Sequence, residues 1–254
     1  MIKKVVIAAA GRGTRMLHLT RKKSKHLINV LKKPFLTYLL DNILKAGYDD
    51  LILVIGYKKE KWEEFLKKYK YNLKVVNQFE ILGGKEKEYG TACPLKCVKD
   101  VVGKENFLMV CGDNLYSPED LENFNIDDDY DYIAGFPHQN PEKYGVLYLE
   151  NDFLKEIVEK PKEPLGNLIN TGLYKFTPEI FEKISEIKLS PRGEYELTDA
   201  INLLAKKKKV KVKEIEDYWL DFGNPADIIK LSRFFKNANN KNFSRKFREN
   251  IENS

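Results

Sequence analysis

The sequence predicts an α/β fold in three layers, with helices on both faces of a mixed, mainly parallel central sheet. Apolar, β-prone runs alternate with helical stretches through the first half of the chain, which is the pattern of parallel strands joined by crossover helices. The 254 residues are 43% hydrophobic, which is enough to build one large core. The middle of the chain is richer in strands and predicts a smaller β-rich subregion.

Each element is predicted from a local pattern. Val5–Ala10 is apolar throughout, as expected of a parallel strand that is buried on both faces. The further predicted strands are Leu51–Ile55, Leu73–Val76, Asn106–Val110, Tyr132–Phe136, Gly145–Glu150, Ile157–Glu159, Gly172–Thr177 and Val210–Ile215. Helical spacing of apolar residues predicts helices at Phe35–Ala46, Lys59–Tyr69, Ala92–Val102, Pro118–Phe124, Pro178–Ile187, Leu197–Lys207 and Ala226–Asn237. Three helix ends are marked: Ser117 as an N-cap, Pro178 at a first helical position, and Gly47 after a last turn.

Residues 1–236 contain no internal repeat and no linker rich in Pro, Gly or Ser, so we expect one domain there. Residues 237–254 form a polar tail in which Phe243 and Phe247 have the spacing of a short helix, and a frayed tail is the alternative. The first apolar run is too short for a signal peptide, and no stretch reaches the length of a membrane span. We therefore expect a cytoplasmic chain with no membrane partner.

The charge balance favours a small anionic substrate without requiring one. There are 44 basic and 38 acidic residues, so the net charge of +6 is a mild excess. The basic run 206–209 is expected to be a solvated helix end, so no nucleic-acid partner is predicted. The cysteines are odd in number and lack zinc spacing with the histidines, which predicts reduced thiols.

A glycine loop with cations follows the first predicted strand. The loop is Gly11-Arg12-Gly13-Thr14-Arg15, and Lys25 adds a further cation. Glycines let backbone N–H groups approach a bulky anion, and arginines bind phosphate oxygens. The alternative is an ordinary strand-to-helix turn with surface cations. The loop lacks the Gly-Lys-Ser/Thr of a Walker motif and the third glycine of a dinucleotide fingerprint.

Two aspartates follow other apolar segments. Asp113 comes after the predicted strand Asn106–Val110, at the same sheet edge as the glycine loop, and Asp221 stands in Trp219–Gly223. Paired carboxylates that face phosphates suit Mg²⁺. For each aspartate alone, a turn that closes a strand is the alternative.

A third group combines a carboxylate, a lysine and glycines. Glu159 suits sugar hydroxyls, Lys160 a sugar phosphate, and Gly145 lets a ring approach the backbone. Tyr144 precedes this glycine, and Asn170-Thr171-Gly172 follows downstream. A salt-bridged strand end before a proline turn is the alternative.

In their joint order these motifs resemble those of the sugar-1-phosphate nucleotidyltransferases, nearest the glucose-1-phosphate thymidylyltransferase and uridylyltransferase branch. The resemblance runs from residue 5 to about residue 235. The matching segments are Ala8–Arg15, Ser24-Lys25, Lys33-Pro34, Tyr89–Ala92, Gly112–Asn114, Lys143–Val146, Glu159–Pro161, Asn170–Gly172, Arg192–Glu194, Glu196–Asp199 and Trp219–Gly223.

The resemblance implies a Rossmann-like nucleotidyltransferase fold in residues 1–236 and a role for each matching residue. The implied catalytic cations are Arg15, Lys25 and Lys160. The implied nucleotide-binding residues are Ala9, Ala10, Gly11, Arg12, Gly13, Thr14, Gln78, Gly90, Thr91, Gly112 and Asp113. The implied sugar-phosphate site is Tyr144, Gly145, Glu159, Lys160, Asn170, Thr171, Gly172 and Trp219. Asp113 and Asp221 match the family's two Mg²⁺ ligands.

The implied reaction transfers a nucleoside monophosphate from dTTP or UTP to a sugar-1-phosphate, with glucose-1-phosphate as the expected acceptor. The alternatives are a guanylyl- or cytidylyltransferase for another sugar phosphate, or a catalytically silent binding subunit on the same fold. A nicotinamide oxidoreductase is disfavoured by the missing third glycine. Family members often form dimers or tetramers, so a homo-oligomer is compatible with the resemblance.

The sequence departs from the family's pattern at several positions. His18 stands where a proline is usual, and Ser24 replaces the proline before Lys25, so a looser loop is expected there. Gln78 lies farther before Gly90 than the family's base-reading glutamine. The charged stretch between them is expected to be a flap over the base or a solvated surface turn.

Overall fold

The computed structural model describes residues 1–83 and 88–237. Its strands are β1 Lys4–Ala8, β2 Asn29–Val30, β3 Lys33–Pro34, β4 Asp50–Ile55, β5 Leu73–Asn77, β6 Phe107–Cys111, β7 Asn114–Tyr116, β8 Asp131–Pro137, β9 Gly145–Glu150, β10 Phe153–Glu159, β11 Leu168–Phe176, β12 Val210–Glu214 and β13 Trp219–Asp221. Its α-helices are α1 Phe35–Lys45, α2 Lys59–Lys68, α3 Gln78–Leu82, α4 Cys93–Lys96, α5 Lys99–Val102, α6 Pro118–Asn123, α7 Glu179–Glu186, α8 Leu197–Ala205 and α9 Ala226–Asn237.

The central sheet is mixed. Among the described residues it has nine strands in the order β5-β4-β1-β6-β11-β8-β12-β10-β9. The strands β5, β4, β1 and β6 are parallel to one another, and β11 then runs antiparallel to β6. The β-rich middle of the chain therefore continues the same sheet through hydrogen bonds between β6 and β11.

Alternating side chains of β1 show why helices cover both faces of the sheet. Val5 and Ile7 belong to a core with α1, α2, α6 and α9, whereas Val6 belongs to a second core with α4, α5, α7 and α8. All three side chains are fully buried. A strand buried on both faces needs a continuous apolar run, so the sequence pattern and the three-layer fold agree.

Most predicted elements are present, and the differences are local. The single helix predicted over Ala92–Val102 is wrong, because two short helices, α4 and α5, stand there. Pro178 is the cap of α7 and not its first residue, whereas the Ser117 side chain accepts a hydrogen bond from Asp120 N–H as a predicted cap should. Gly47 follows α1 with a φ of 86°, the left-handed conformation that suits glycine.

Two expectations concern the chain ends and the cysteines. The predicted polar tail, with Phe243 and Phe247, lies outside the described residues except for Asn237, the last residue of α9. The three cysteines, all within the described part of the chain, are free thiols, as predicted. Over the same part, no helix combines the length and the apolar character that a membrane crossing requires.

Candidate active site

A cavity of about 320 Å³ opens where β1 and β6 end, at the carboxyl edge of the parallel strands. It collects predicted site residues that are far apart in the sequence. Those that line it are Ala10, Gly11, Arg15, Lys25, Gln78, Gly90, Thr91, Asp113, Tyr144, Gly145, Glu159, Lys160, Asn170, Thr171, Gly172, Trp219 and Asp221. Ala9, Arg12, Gly13, Thr14 and Gly112 belong to the neighbouring turns but are not among the lining residues.

A larger groove of about 710 Å³ lies at the opposite edge of the sheet, around Lys4 and Asn106. None of the predicted site residues lines it, and its surface mixes lysines with aspartates and glutamates. The convergence of the predicted residues identifies the smaller cavity as the candidate site.

The glycine loop folds back over Lys25. Gly13 has a φ of 64°, and a Cβ atom on it would lie 3.0 Å from Cβ of Lys25. The carbonyl oxygen of Gly13 accepts a hydrogen bond from Thr20 Oγ1 at 3.1 Å. Glycine at this position therefore provides both the backbone conformation and the close approach of the lysine stem.

The segment around Lys25 is buried despite its departure from the expected sequence. Ser24 is fully buried, and its hydroxyl lies 2.8 Å from Nδ1 of His26. Burial, together with the positive charge of Lys25, lowers the pKa of His26 to about 3. A neutral imidazole therefore contacts Ser24, and this contact supports the segment where the family's proline is missing.

The Lys25 ammonium donates a hydrogen bond to the carboxylate of Asp113. Burial acts to raise the pKa of Asp113 and is the largest single cause, but the charge of Lys25, its hydrogen bond and the other nearby groups together outweigh burial, and the pKa is lowered. The lysine thus keeps Asp113 ionised inside the cavity.

Strands β7 and β13 bring the second aspartate to the first. They pair antiparallel with Asp221 opposite Asn114, and the backbone N–H of Phe222 donates to the carbonyl oxygen of Asp113 at 2.8 Å. Burial and the negative charge of Asp113 raise the pKa of Asp221. Burial is the larger of these two causes, and the Asp113 charge adds to it.

A buried carboxylate that the sequence did not single out holds the approach to β13. Asp120 is 2% exposed, and its oxygens accept hydrogen bonds from the backbone N–H groups of Glu216, Asp217 and Tyr218 at 2.7–3.3 Å. The Ser117 hydroxyl also donates to it, at 2.7 Å. The start of α6 therefore fixes the turn that leads to Asp221.

The other end of the cavity is built on strands β9 to β11. Gly145 is paired with Glu159, so the glutamate lies beside a residue without a side chain. Burial raises the pKa of Glu159. Lys160 has a φ of 46°, and its N–H donates to the carbonyl oxygen of Tyr144 at 2.9 Å. Asn170 donates from Nδ2 to the hydroxyl of Tyr174 at 2.8 Å.

Gln78 reaches the cavity in spite of its distance from Gly90 in the sequence. It is the first residue of α3, directly after β5, and it is 2% exposed. Its Oε1 atom is buried and has no hydrogen-bond partner among the described residues. A buried amide oxygen without a partner is costly, so this atom is poised for a ligand donor. Most of the charged stretch predicted to be a flap, residues 84–87, lies outside the described residues.

Sequence reasoning missed some lining residues, namely His26, Pro94, Tyr174, Leu197 and Thr198. His26 adjoins Lys25, and Thr198 stands in a segment that already matched the family. Their positions in or beside a motif could therefore have marked them as candidate site residues. Tyr174 gives no such signal, because a tyrosine within a predicted strand is ordinarily a core residue.

The donor set fits one hard cation. Among the described residues there is no cluster of three or more His, Cys, Asp or Glu side chains suited to a metal. Asp113 and Asp221 nevertheless line the same cavity, and the N–H of Phe222, next to Asp221, donates a hydrogen bond to the carbonyl oxygen of Asp113. Mg²⁺ is commonly bound through one or two carboxylates, with substrate phosphates and water as further ligands. The two aspartates fit that pattern.

Comparisons with known proteins show which family the chain is similar to. The profile of a family described as nucleotidyl transferase matches residues 4–238. The bifunctional protein GlmU of Methanocaldococcus jannaschii is 37% identical over 249 residues, which are 97% of this chain and 57% of that protein. The chain thus spans little more than half the length of this relative.

Two further relatives match over nearly their whole length. The UTP–glucose-1-phosphate uridylyltransferase AglF of Haloferax volcanii is 34% identical over 231 residues, which are 87% of this chain and 92% of that protein. A UDP-glucose pyrophosphorylase solved with UDP-glucose superposes with a TM-score of 0.80 at 25% identity, covering 94% of this chain and all of that one.

Proposed function

Because the chain belongs to the nucleotidyl transferase family, we propose that it transfers a nucleoside monophosphate from UTP or dTTP to a sugar-1-phosphate. Glucose-1-phosphate is the proposed acceptor, and the products are an NDP-sugar and pyrophosphate. The similarity to a glucose-1-phosphate uridylyltransferase over 92% of that relative's length supports this choice of substrates.

One observation carries the proposal: the Lys25–Asp113 pair and Asp221 lie in one cavity with the glycine loop and with the residues of β9 to β11. The loop supports the binding of a triphosphate. Glu159, Asn170 and Lys160 support the binding of a phosphorylated sugar. Charged groups between two such ends are what the joining of two phosphate-bearing substrates requires.

At the base end, Gln78 and Gly90 support pyrimidine binding. The Gln78 amide has one unpartnered oxygen, which suits the ring N–H of uracil or thymine. Gly90 has a φ of 138°, and a Cβ atom on it would strike the backbone of Tyr195. Residue 90 therefore has to be glycine, because a side chain there would push the loop away from Tyr195 and from the proposed base position.

The proposed chemistry is an in-line displacement at the α-phosphorus. An oxygen of the sugar-1-phosphate attacks, the α–β bridging bond breaks, and pyrophosphate leaves. The attacking phosphate is already ionised at neutral pH, so this chain's residues position the groups and neutralise charge. Arg15 and Lys25 face the nucleotide phosphates, and Lys160 faces the sugar phosphate.

Asp113 and Asp221 are the proposed ligands of Mg²⁺. The cation would supply charge neutralisation for the triphosphate when it is bound. The chain's own part is to hold the two carboxylates together through the pairing of β7 with β13.

The test is pyrophosphate release with UTP, dTTP, GTP, CTP and ATP against a panel of sugar-1-phosphates, each with Mg²⁺ and with EDTA. We expect the highest kcat/KM for UTP or dTTP with glucose-1-phosphate, and no turnover with EDTA. Tight nucleotide binding without turnover on any pair would instead identify a silent binding subunit.

A further inference from the structure

Two chain segments that are distant in the sequence both line the cavity and are hydrogen-bonded to each other. The backbone N–H of Tyr195 donates to the carbonyl oxygen of Tyr89 at 2.8 Å, and the N–H of Ala92 donates to the carbonyl oxygen of Tyr195 at 3.0 Å. A Cβ atom on Gly90 would lie 2.3 Å from the Tyr195 oxygen. We call segments 89–92 and 190–197 with these contacts the clasp.

Glu196 is the polar centre of the clasp. Its carboxylate is 4% exposed and accepts hydrogen bonds from Arg192 Nη2 at 2.7 Å and Nε at 3.1 Å. The Ser190 hydroxyl donates to it at 3.1 Å. Thr91 Oγ1 donates to its other oxygen over 3.4 Å, and the same Oγ1 accepts from Leu197 N–H at 2.8 Å.

The position of Glu196 separates it from the lining residues. The cavity is lined by the sequence neighbours of Glu196, namely Glu194, Leu197 and Thr198, and by Gly90 and Thr91 of the other segment. Glu196 itself is not among the lining residues. Glu196 therefore contacts both lining segments on the side that faces away from the cavity. A buried carboxylate is stable only where its partners stay in place, so these contacts fix one arrangement of the two segments.

A lysine strengthens the same junction from the outside. The Lys96 ammonium lies 3.5 Å from the ring centroid of Tyr195 and 2.7 Å from a carboxylate oxygen of Glu88. Lys96 is the last residue of α4, which follows segment 89–92. Both ends of that segment are thus tied to residues 195 and 196.

We infer that Glu196 is a positioning residue that couples the base end of the cavity to its sugar end. The inference rests on the proposed function, in which Gly90 borders the base and Glu159 borders the sugar. Segment 190–197 leads into α8, whose Asn202 exchanges hydrogen bonds of 2.7 and 2.9 Å with the backbone of Ile157 on β10, the strand that ends at Glu159. Binding at either end then stabilises the conformation that the other substrate needs, and the coupling is reciprocal.

Kinetics of Glu196→Ala and the conservative Glu196→Gln provide the first test. We expect Glu196→Ala to raise the KM of UTP and of glucose-1-phosphate together, by about tenfold each, with kcat changed less than threefold. Glu196→Gln retains hydrogen-bonding capacity and is expected to restore part of both losses. The matched control is Glu186→Gln, which removes an exposed partner of Lys183 on α7 and leaves both KM values unchanged.

The contrary results are distinct. A rise in the KM of glucose-1-phosphate alone would overturn the inference and place Glu196 in the sugar end only. Unchanged KM values with a lowered melting temperature would overturn it as well, since the contacts would then be merely structural. If Glu196→Ala does not fold, Glu196→Gln decides by the same criterion.

Hydrogen–deuterium exchange gives a readout that does not need turnover. With UTP as the only ligand, we expect slower exchange at 89–92 and also at 190–197 in the wild type. In Glu196→Gln the protection should persist at 89–92 and disappear at 190–197. Equal protection of both segments in the variant would overturn the coupling. Absence of turnover in the wild type would contradict the proposed function alone.

Discussion

At the scale of single residues, Lys25 supplies a positive charge beside the two aspartates of the cavity. It donates a hydrogen bond to Asp113 and lowers the pKa of that carboxyl. The charges of Asp113 and Lys25 also act on the pKa of Asp221, in opposite directions. We expect Lys25→Met to lower kcat about a hundredfold, because one charge that stabilises the transferring phosphate is lost. Steady-state pyrophosphate release with UTP and glucose-1-phosphate measures it.

Lys61→Met is the matched control for that substitution. Lys61 forms an exposed ion pair with Glu64 on α2, and exposed pairs contribute little. Its kcat should stay within about twofold of the wild type. Equal losses in both variants would mean that Lys25 acts through stability rather than through charge at the site.

Asp131 gives a prediction about pH and stability. It is 1% exposed, it accepts a hydrogen bond from Thr177 N–H, and burial raises its pKa to about 6. A carboxyl whose folded-state pKa is raised holds its proton more tightly in the folded state. Its stabilising contribution is therefore complete below the unfolded pKa of about 3.9 and is lost as the pH rises through 6.

We expect Asp131→Asn to remove this part of the pH dependence, because its amide oxygen still accepts from Thr177. Relative to the wild type, the free energy of unfolding of the variant should gain about 2 kcal/mol between pH 4 and pH 7. Urea unfolding at several pH values measures it. Parallel pH curves for the two proteins would contradict the prediction.

At the scale of elements, the pairing of β7 with β13 places Asp221, and Asp120 holds the turn before β13. We expect Asp120→Asn to weaken three backbone hydrogen bonds to a charged acceptor and to lower the free energy of unfolding by about 3 kcal/mol. Because the turn also positions Asp221, kcat should fall at temperatures where the variant is still folded.

Asp129→Asn serves as the control, since Asp129 is exposed. Its stability and kcat should equal those of the wild type. Loss of stability in Asp120→Asn with an unchanged kcat would show that the turn supports the fold without positioning Asp221.

The sequence predicted elements where composition determines them. The run Val5–Ala10 predicted β1 because a doubly buried strand must be apolar throughout. Strands β7 and β13 were not predicted, because three-residue strands arise from pairing with each other and leave no periodic pattern. The helix predicted over Ala92–Val102 was wrong because its apolar residues do pack on one core, but from two short helices.

The candidate site divides in the same way. Lys25, Asp113 and Asp221 could be chosen from motifs, because each motif stands at a strand end or a turn. Glu196 and Asp120 could not be assigned their roles, since their importance lies in the partners that the fold brings to them. Gln78 was doubtful from its sequence distance to Gly90, and the position of β5 beside β4 brings it to the cavity.

At the scale of the whole molecule, ligand binding should stabilise the fold. UTP with Mg²⁺ at a hundred times its dissociation constant is expected to add about 2.7 kcal/mol, which raises Tm by about 5–10 °C for a chain of this size. Differential scanning fluorimetry measures it. EDTA should abolish most of the shift, and a shift that is unaffected by EDTA would contradict Asp113 and Asp221 as metal ligands.

The strand order also sets the distance between the two ends of the cavity. Gln78 follows β5, Gly11 follows the end of β1, Asp113 follows β6, and Asn170 stands on β11, so the cavity runs across the strands. From β5 to β11 there are four inter-strand steps, about 19 Å at about 4.8 Å each. Backbone hydrogen bonds fix that length. A change of preferred base or sugar is therefore expected to come from side chains at the two ends, while the distance between the ends stays constant.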